Sequence, residues 1–284
     1  MHIARVFPRK TIATPCDDLS FFGEPPRLFL KDIDEVHISV TYTYDIPKAE
    51  KLAYQWETLG VPVKMGGPAT GHPGGEFIPG LYIKKGYTIT SRGCANNCWF
   101  CSVPKREGPL RELPIRDGWD VLDDNLLACS ENHIRAVFDM LKKQTHKPKF
   151  TGGFEAKLLR PWHVDLLRES KAQRVYFAYD TPDDLEPLVE AGKKMRGGGI
   201  TRRSHVASCY ILIGYEGDTF SAAEKRIKQT VEAGFYPFAM LYRDATGKTN
   251  KEWGRFQREW VRSKIVGAEM KKMEETDRRI EGGQ

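Results

Sequence analysis

Residues 36–44, V-H-I-S-V-T-Y-T-Y, alternate strictly, which puts Val36, Ile38, Val40, Tyr42 and Tyr44 on one face of a half-buried strand. A helix follows. Asp45 offers an N-cap, Pro47 suits the first turn, Ala49, Leu52, Ala53, Trp56 and Leu59 form an apolar stripe, and Gly60 stops it. V-P-V-K-M at 61–65 reads as the next strand, so this section is a βαβ unit. The run G-G-P-A-T-G-H-P-G-G at 66–75 is a loop and a plausible linker.

From Tyr87 onward the alternation of strands and helices becomes regular. Strands are expected near 87–90, 124–129, 149–152, 174–179, 207–213 and 235–241, with helix-compatible segments or longer loops between them. Ser130 caps a stripe of Ile134, Val137, Phe138 and Leu141. T-P-D-D-L at 181–185 puts Thr, Pro and two acids at a helix start, and a further helical run ends on Gly234. Repeated βα units with near-continuous apolar strands imply a parallel sheet. A complete eight-unit barrel needs about 250 residues, so the expected fold is α/β, a partial six-stranded parallel (β/α)6 barrel with a small N-terminal βαβ layer. The expected boundaries are 1–80 for that layer (a truncated Rossmann-like domain), 81–249 for the barrel and 250–284 for a charged helical extension. The extension carries Trp253, Phe256, Trp260 and Val261 on its apolar side.

With 284 residues, 40% hydrophobic and 29% charged, the chain can bury a core without staples. No apolar run approaches the roughly 20 residues of a membrane span, and M-H-I-A-R-V-F-P-R-K lacks the apolar region of a secretory signal. The expected compartment is the cytoplasm, with no membrane partner. Thiols stay reduced there, so clustered cysteines read first as metal ligands or catalysts. The net charge of +6 permits an anionic partner without demanding one.

S-R-G-C-A-N-N-C-W-F-C, 91–101, holds Cys94, Cys98 and Cys101, three of the chain's six cysteines, in the spacing C-x3-C-x2-C. Three thiolates from one loop suit one face of a cubane iron-sulfur cluster and leave its fourth iron open. A zinc site wants a fourth protein ligand, and the next His after Cys101 is as far off as His133. Cys16, Cys129 and Cys209 are isolated and read as buried free cysteines.

This spacing, the aromatic Phe100 before the last cysteine and the position after the first barrel strand resemble the radical S-adenosylmethionine enzymes. The resemblance implies a 4Fe-4S cluster on Cys94, Cys98 and Cys101 whose open iron holds S-adenosyl-L-methionine. It implies an electron donor of the flavodoxin or ferredoxin type and reductive cleavage of the cofactor to a 5'-deoxyadenosyl radical, which abstracts hydrogen from a substrate. Other cofactor contacts carry over one at a time. Where the family often has G-G-E after the second strand, this chain has A-C-S-E-N, making Ser130 and Glu131 the candidates for the amino group. In G-G-F-E-A-K, Glu155 and Lys157 either face the barrel interior or form a solvated pair at a strand end. Asp180 stands where the family contacts the ribose, and also where it can shape a helix start. Gly214 in the fifth strand allows close approach of the adenine. Arg202 or Arg203 is placed to pair with a carboxylate.

The N-terminal piece is similar to the end of the cobalamin-binding domain in one branch of that family. His72 and Gly75 form the H-x-x-G of its D-x-H-x-x-G, but Thr70 replaces the acid and the stretch follows a different strand. The layer therefore reads as a truncated remnant covering the barrel. Related methylthiotransferases carry a second cluster on three N-terminal cysteines, where this chain has Cys16 alone, so a single-cluster enzyme is expected. Its substrate is unassigned. K-K-M-R-G-G-G-I-T-R-R-S-H at 193–205 reads as a solvated basic loop or as a flap over an anionic substrate, a nucleotide or nucleic acid. Two rivals stay open: a nucleic-acid-binding module with zinc on the cysteines, and a cluster-bearing scaffold or sensor without radical catalysis. Within the enzyme class, ordinary methyl transfer would yield S-adenosylhomocysteine instead.

Overall fold

The computed structural model describes residues 2–26, 32–71, 76–201, 204–244, 246–260 and 267. The chain is α/β with parallel sheets, and it falls into two compact units, 1–145 with 245–247 and 146–244 with 248–284.

In the first unit, I-A-R-V near the start forms β1 (Ile3–Val6), followed by β2 (Ser20–Phe21). Sequence alternation missed both, because β1 carries a buried arginine among its apolar residues. The Arg5 guanidinium donates to the Gly80 and Leu81 carbonyls at 3.1 and 3.0 Å and pairs with Asp17, so its charge is met inside the fold. β3 (Glu35–Ser39) is shorter than the alternation suggests. Val36, Ile38 and Val40 are buried as expected, but the chain turns after Val40, and Tyr42 and Tyr44 stack on each other instead of extending the strand. α1 (Ile46–Trp56) follows, burying Ala49, Leu52 and Trp56, and leads to β4 (Val63–Gly66). Asp45 does not cap α1 through its side chain. Its buried carboxylate takes two 2.9 Å hydrogen bonds from Arg9. The four strands run parallel in the order β2-β1-β3-β4, so the layer is larger than one βαβ unit.

The rest of this unit holds β5 (Tyr87–Thr88), β6 (Ser91–Arg92), α2 (Val103–Glu107), β7 (Arg111–Glu112), β8 (Asp120–Val121) and α3 (Glu131–Lys142). β5 pairs in parallel with β8, and β6 pairs antiparallel with β7. The second of the later strands was expected at 124–129, and the strand found there is instead Asp120–Val121. Leu126 and Leu127, the apolar pair behind that expectation, are buried in a 3-10 turn.

The second unit contains β9 (Lys149–Phe154), α4 (Pro161–Glu169), β10 (Arg174–Tyr179), α5 (Leu185–Gly197), β11 (Ala207–Ile213), α6 (Phe220–Glu232), β12 (Tyr236–Leu241) and α7 (Lys251–Trp260). The four strands pair in parallel in chain order, in register from Val175↔Ala207 and from Ser208↔Tyr236. One face is buried and mostly apolar, with Val175, Phe177, Cys209, Ile211 and Ile213 buried beside Tyr179, whose hydroxyl donates to Gln229 at 2.8 Å. The other carries half-buried rings, Tyr176 stacked on Tyr210 at 4.4 Å with Phe238 edge-on to both. The apolar side of α7 packs on Ile211, Ile213 and Ala239 through Trp253, Phe256 and Trp260, as its sequence suggests.

Helix signals were legible. Ser130 accepts from the His133 amide at 3.2 Å at the start of α3, and Thr181 and Asp184 form a capping box before α5. The basic segment 193–205 is only partly a loop. Lys193 to Gly197 end α5, where cations favour the helix C-terminus, and Lys194 and Arg196 donate to the Leu159 and Ala233 carbonyls at 2.9 and 3.0 Å. Cys129 and Cys209 are buried, whereas Cys16 is exposed, contrary to expectation, beside the Thr14 carbonyl. His72, Gly75, Arg202, Arg203 and Val261 lie outside the described residues. Among the described residues no helix is long and apolar enough to cross a membrane.

Candidate metal centre

The cysteine loop leaves β6 through a backbone that only glycine tolerates. Gly93 has φ +85°, and a Cβ there would fall 2.3 Å from the Pro109 carbonyl oxygen. Its amide donates to Asp124 Oδ2 at 2.8 Å, and the Cys94 amide donates to the Gly108 carbonyl at 3.3 Å. The loop closes at its far end with the Cys101 amide donating to the Cys98 carbonyl at 3.0 Å, and α2 begins two residues later.

Beneath the loop lies a buried charge cluster. The Glu107 side chain, 1% exposed, meets Arg92 at 3.4 Å, Arg106 at 3.0 Å and Arg111 at 2.8 Å. It joins the end of α2 to both strands of the β6–β7 ribbon, and its negative charge is compensated three times over. Asp123, also buried, accepts from the Thr90 amide and hydroxyl at 2.6 Å each and from the Ser91 hydroxyl at 2.7 Å. Burial pushes the Asp123 and Asp124 carboxyls above the ordinary range, against the hydrogen bonds they accept.

Cys94 and Cys101 are half-buried and Cys98 is exposed. The Cys94 sulfur accepts from the Asn96 amide at 3.4 Å and from Asn125 Nδ2 at 3.5 Å. Burial pushes the Cys101 thiol up, and the charge of Cys94 adds to that, which places the two within electrostatic reach of each other. Three thiols on one short loop are the donor chemistry of an iron-sulfur cluster, and the residues present fit it in kind. Among the described residues no three His, Cys, Asp or Glu side chains are gathered into a set that would hold a metal ion, so the sulfurs are not convergent as placed.

The remaining predicted site residues divide between the units. Phe100, in the first, packs edge-on against Trp99, which is 58% exposed. Ser130 begins α3, and its amide donates to Glu112 at 2.7 Å. Glu131 forms an exposed pair with Arg135 on the next turn. Burial works to raise the Glu112 carboxyl, but the Ser130 bonds and the nearby His133 outweigh it and hold the pKa below its usual value.

In the second unit, the register of β9 against β10 shifts between Val175 and Phe177, opposite G-G at 152–153. Glu155 follows the end of β9 and pairs with Lys157 at 2.6 Å. Asp180 continues the face of Tyr176 by strand alternation. Its carboxylate accepts from the Leu212 amide on β11 at 3.1 Å, and burial raises its pKa to about 6. Asp184, not Asp180, shapes the helix start. Gly214 has φ +74°, and a Cβ there would meet Leu241 Cδ1 at 2.9 Å and the Trp253 ring at 3.0 Å.

Sequence reasoning passed over Gly93, Glu107, Asp123, Asp124 and Asn125. The signal for the last three was W-D-V-L-D-D-N: once the strand is set at 120–121, the polar trio falls just past its carboxyl end. Compared with known proteins, the chain matches no family model and no curated protein.

Proposed function

We propose that the chain is a radical S-adenosylmethionine enzyme carrying a 4Fe-4S cluster on Cys94, Cys98 and Cys101, with a partial six-stranded (β/α)6 barrel as its scaffold. The observation that carries this reading is the cysteine loop itself: three thiols in C-x3-C-x2-C spacing on a loop locked at Gly93 and braced from below by Glu107 and its arginines. When bound, the cluster supplies the electron that splits S-adenosyl-L-methionine into methionine and the 5'-deoxyadenosyl radical.

The chain's own residues hold and orient. Asn125 and the Asn96 amide donate to the Cys94 sulfur, which fixes that ligand and tunes its electron density. Convergence of the three sulfurs belongs to the binding event, since metal sites are commonly completed by their metal. Phe100 borders the ligand loop, and Ser130, Glu131, Glu155, Asp180 and Gly214 are the candidate contacts for the cofactor's polar groups and adenine. Of these, Asp180 has the strongest support, a half-buried carboxylate just past the end of β10 held by the Leu212 amide. A flavodoxin or ferredoxin type donor would deliver the electron.

The test is anaerobic reconstitution with iron and sulfide, then S-adenosylmethionine and a strong reductant, with 5'-deoxyadenosine measured by mass spectrometry. The expected outcome is a brown protein that forms 5'-deoxyadenosine, and a folded Cys94→Ala variant that does not. Wild-type cleavage by that variant, or zinc in place of iron in the native protein, would overturn the reading.

A further inference from the structure

The N-terminal sheet, which the proposed chemistry does not use, carries a cavity of its own. In the order β2-β1-β3-β4, the chain leaves β1 toward β2 on one side and continues from β3 toward β4 on the other, so the order reverses between β1 and β3. Open parallel sheets bind ligands outside the carboxyl ends of their strands at such a reversal, because neighbouring loops there part in opposite directions and leave a crevice. A cavity of about 400 Å³ lies at this place, lined by Pro8, Arg9 and Lys10 after β1, Phe22 and Gly23 after β2, and Asp45 and Lys48 at the start of α1.

The lining carries three cations against one carboxylate. The Arg9 guanidinium takes both oxygens of Asp45 at 2.9 Å, so that acid is matched and its repulsion of an incoming anion is cancelled. Lys10 and Lys48 remain. An ammonium has three N–H donors, and of the Lys48 donors the Pro8 carbonyl takes one. Lys10 sits 5.3 Å from the centre of the Phe22 ring, itself 41% exposed at the cavity. The walls are tied to the core: the Gly23 carbonyl accepts from the fully buried Trp56 indole at 2.9 Å, and the buried Phe7 ring lies against Phe22.

We infer that this cavity binds a phosphate-bearing small molecule of nucleotide size, with Lys10 and Lys48 on the phosphate and Phe22 against the remainder. Two lysines and a matched Arg–Asp pair select for a compact anion. The volume selects for something larger than phosphate alone, since clefts for small organic ligands run roughly 300–1,000 Å³.

Titration calorimetry of the full chain with ADP, inorganic phosphate and adenosine tests this at low and high salt. ADP should bind at one site, more tightly than phosphate, with adenosine silent and affinity falling with salt. Lys10→Ala and Lys48→Ala should each weaken ADP roughly tenfold or more, the loss of one charge-assisted hydrogen bond. Lys51→Ala, an equal loss of charge on an exposed residue of α1 outside the cavity, should leave affinity within about twofold. Lys10 and Lys48 are also exposed, so both variants should keep the wild-type circular dichroism. No saturable binding of ADP, equal binding of adenosine or of phosphate, or lysine variants with wild-type affinity would each overturn the inference.

Discussion

Gly93→Ala isolates the geometry of the cysteine loop from its chemistry, since it removes no thiol. An alanine at φ +85° enters a region that costs a residue with a Cβ roughly 1–2 kcal/mol. Its Cβ would also sit 2.3 Å from the Pro109 oxygen and 2.7 Å from the Gly108 oxygen. These are backbone atoms that cannot swing aside, so relief requires moving the β6–β7 ribbon, at an overpacking cost of roughly 1–3 kcal/mol. The total is about 2–5 kcal/mol, concentrated where the Cys94 amide bonds to Gly108 and the Leu113 amide to Thr90. Native-state hydrogen exchange reads this locally: protection of the Cys94 and Leu113 amides should fall at least ~30-fold, while that of β10 and β11 holds. Iron loading after reconstitution should fall with it. Unchanged protection at those two amides, together with wild-type iron content, would refute the claim that Gly93 sets the loop.

Asp180→Asn gives a pH test. The folded carboxyl, at about 6 against an ordinary 3.8, binds its proton more tightly than the unfolded chain does, so its contribution to stability falls as pH rises from near 4 to near 6 and is flat above. Relative to wild type, the variant should therefore gain up to about 3 kcal/mol across that window in urea unfolding, and a difference independent of pH would refute the assignment. Trp253→Ala empties the contact between α7 and the β11–β12 core and should cost roughly 3–5 kcal/mol in chemical denaturation of the second unit. A loss under about 1 kcal/mol would show that α7 is not held there.

Local rules carried much of the structure. Apolar runs bounded by turn residues placed five of the six later strands within a few positions. Side-chain oxygens at Ser130 and Thr181 marked the starts of α3 and α5, because a helix's first amides need acceptors and few residue types supply them. The spacing of Cys94, Cys98 and Cys101 was equally plain, since thiols on one loop are neighbours in sequence. The misses share a cause. Arg5 and Asp45 look like surface residues until distant groups are folded against them: the Gly80 and Leu81 carbonyls and Asp17 for one, Arg9 for the other. The strand at 120–121 is too short for its own pattern to show, so the more apolar Leu126 and Leu127 drew the expectation away from it.

The sequence by itself determined the α/β alternation, the helix starts and the loop that gathers three thiols, all set by interactions spanning a few residues. Only the tertiary structure decided which distant groups meet: in the first unit Glu107 among three arginines, Asn125 on the Cys94 sulfur and a cationic cavity where the order of the first sheet reverses, and in the second Trp253 against Gly214. The stability of a buried charge and the shape of a crevice depend on groups tens of residues apart, and periodicity along the chain carries no record of which of them meet.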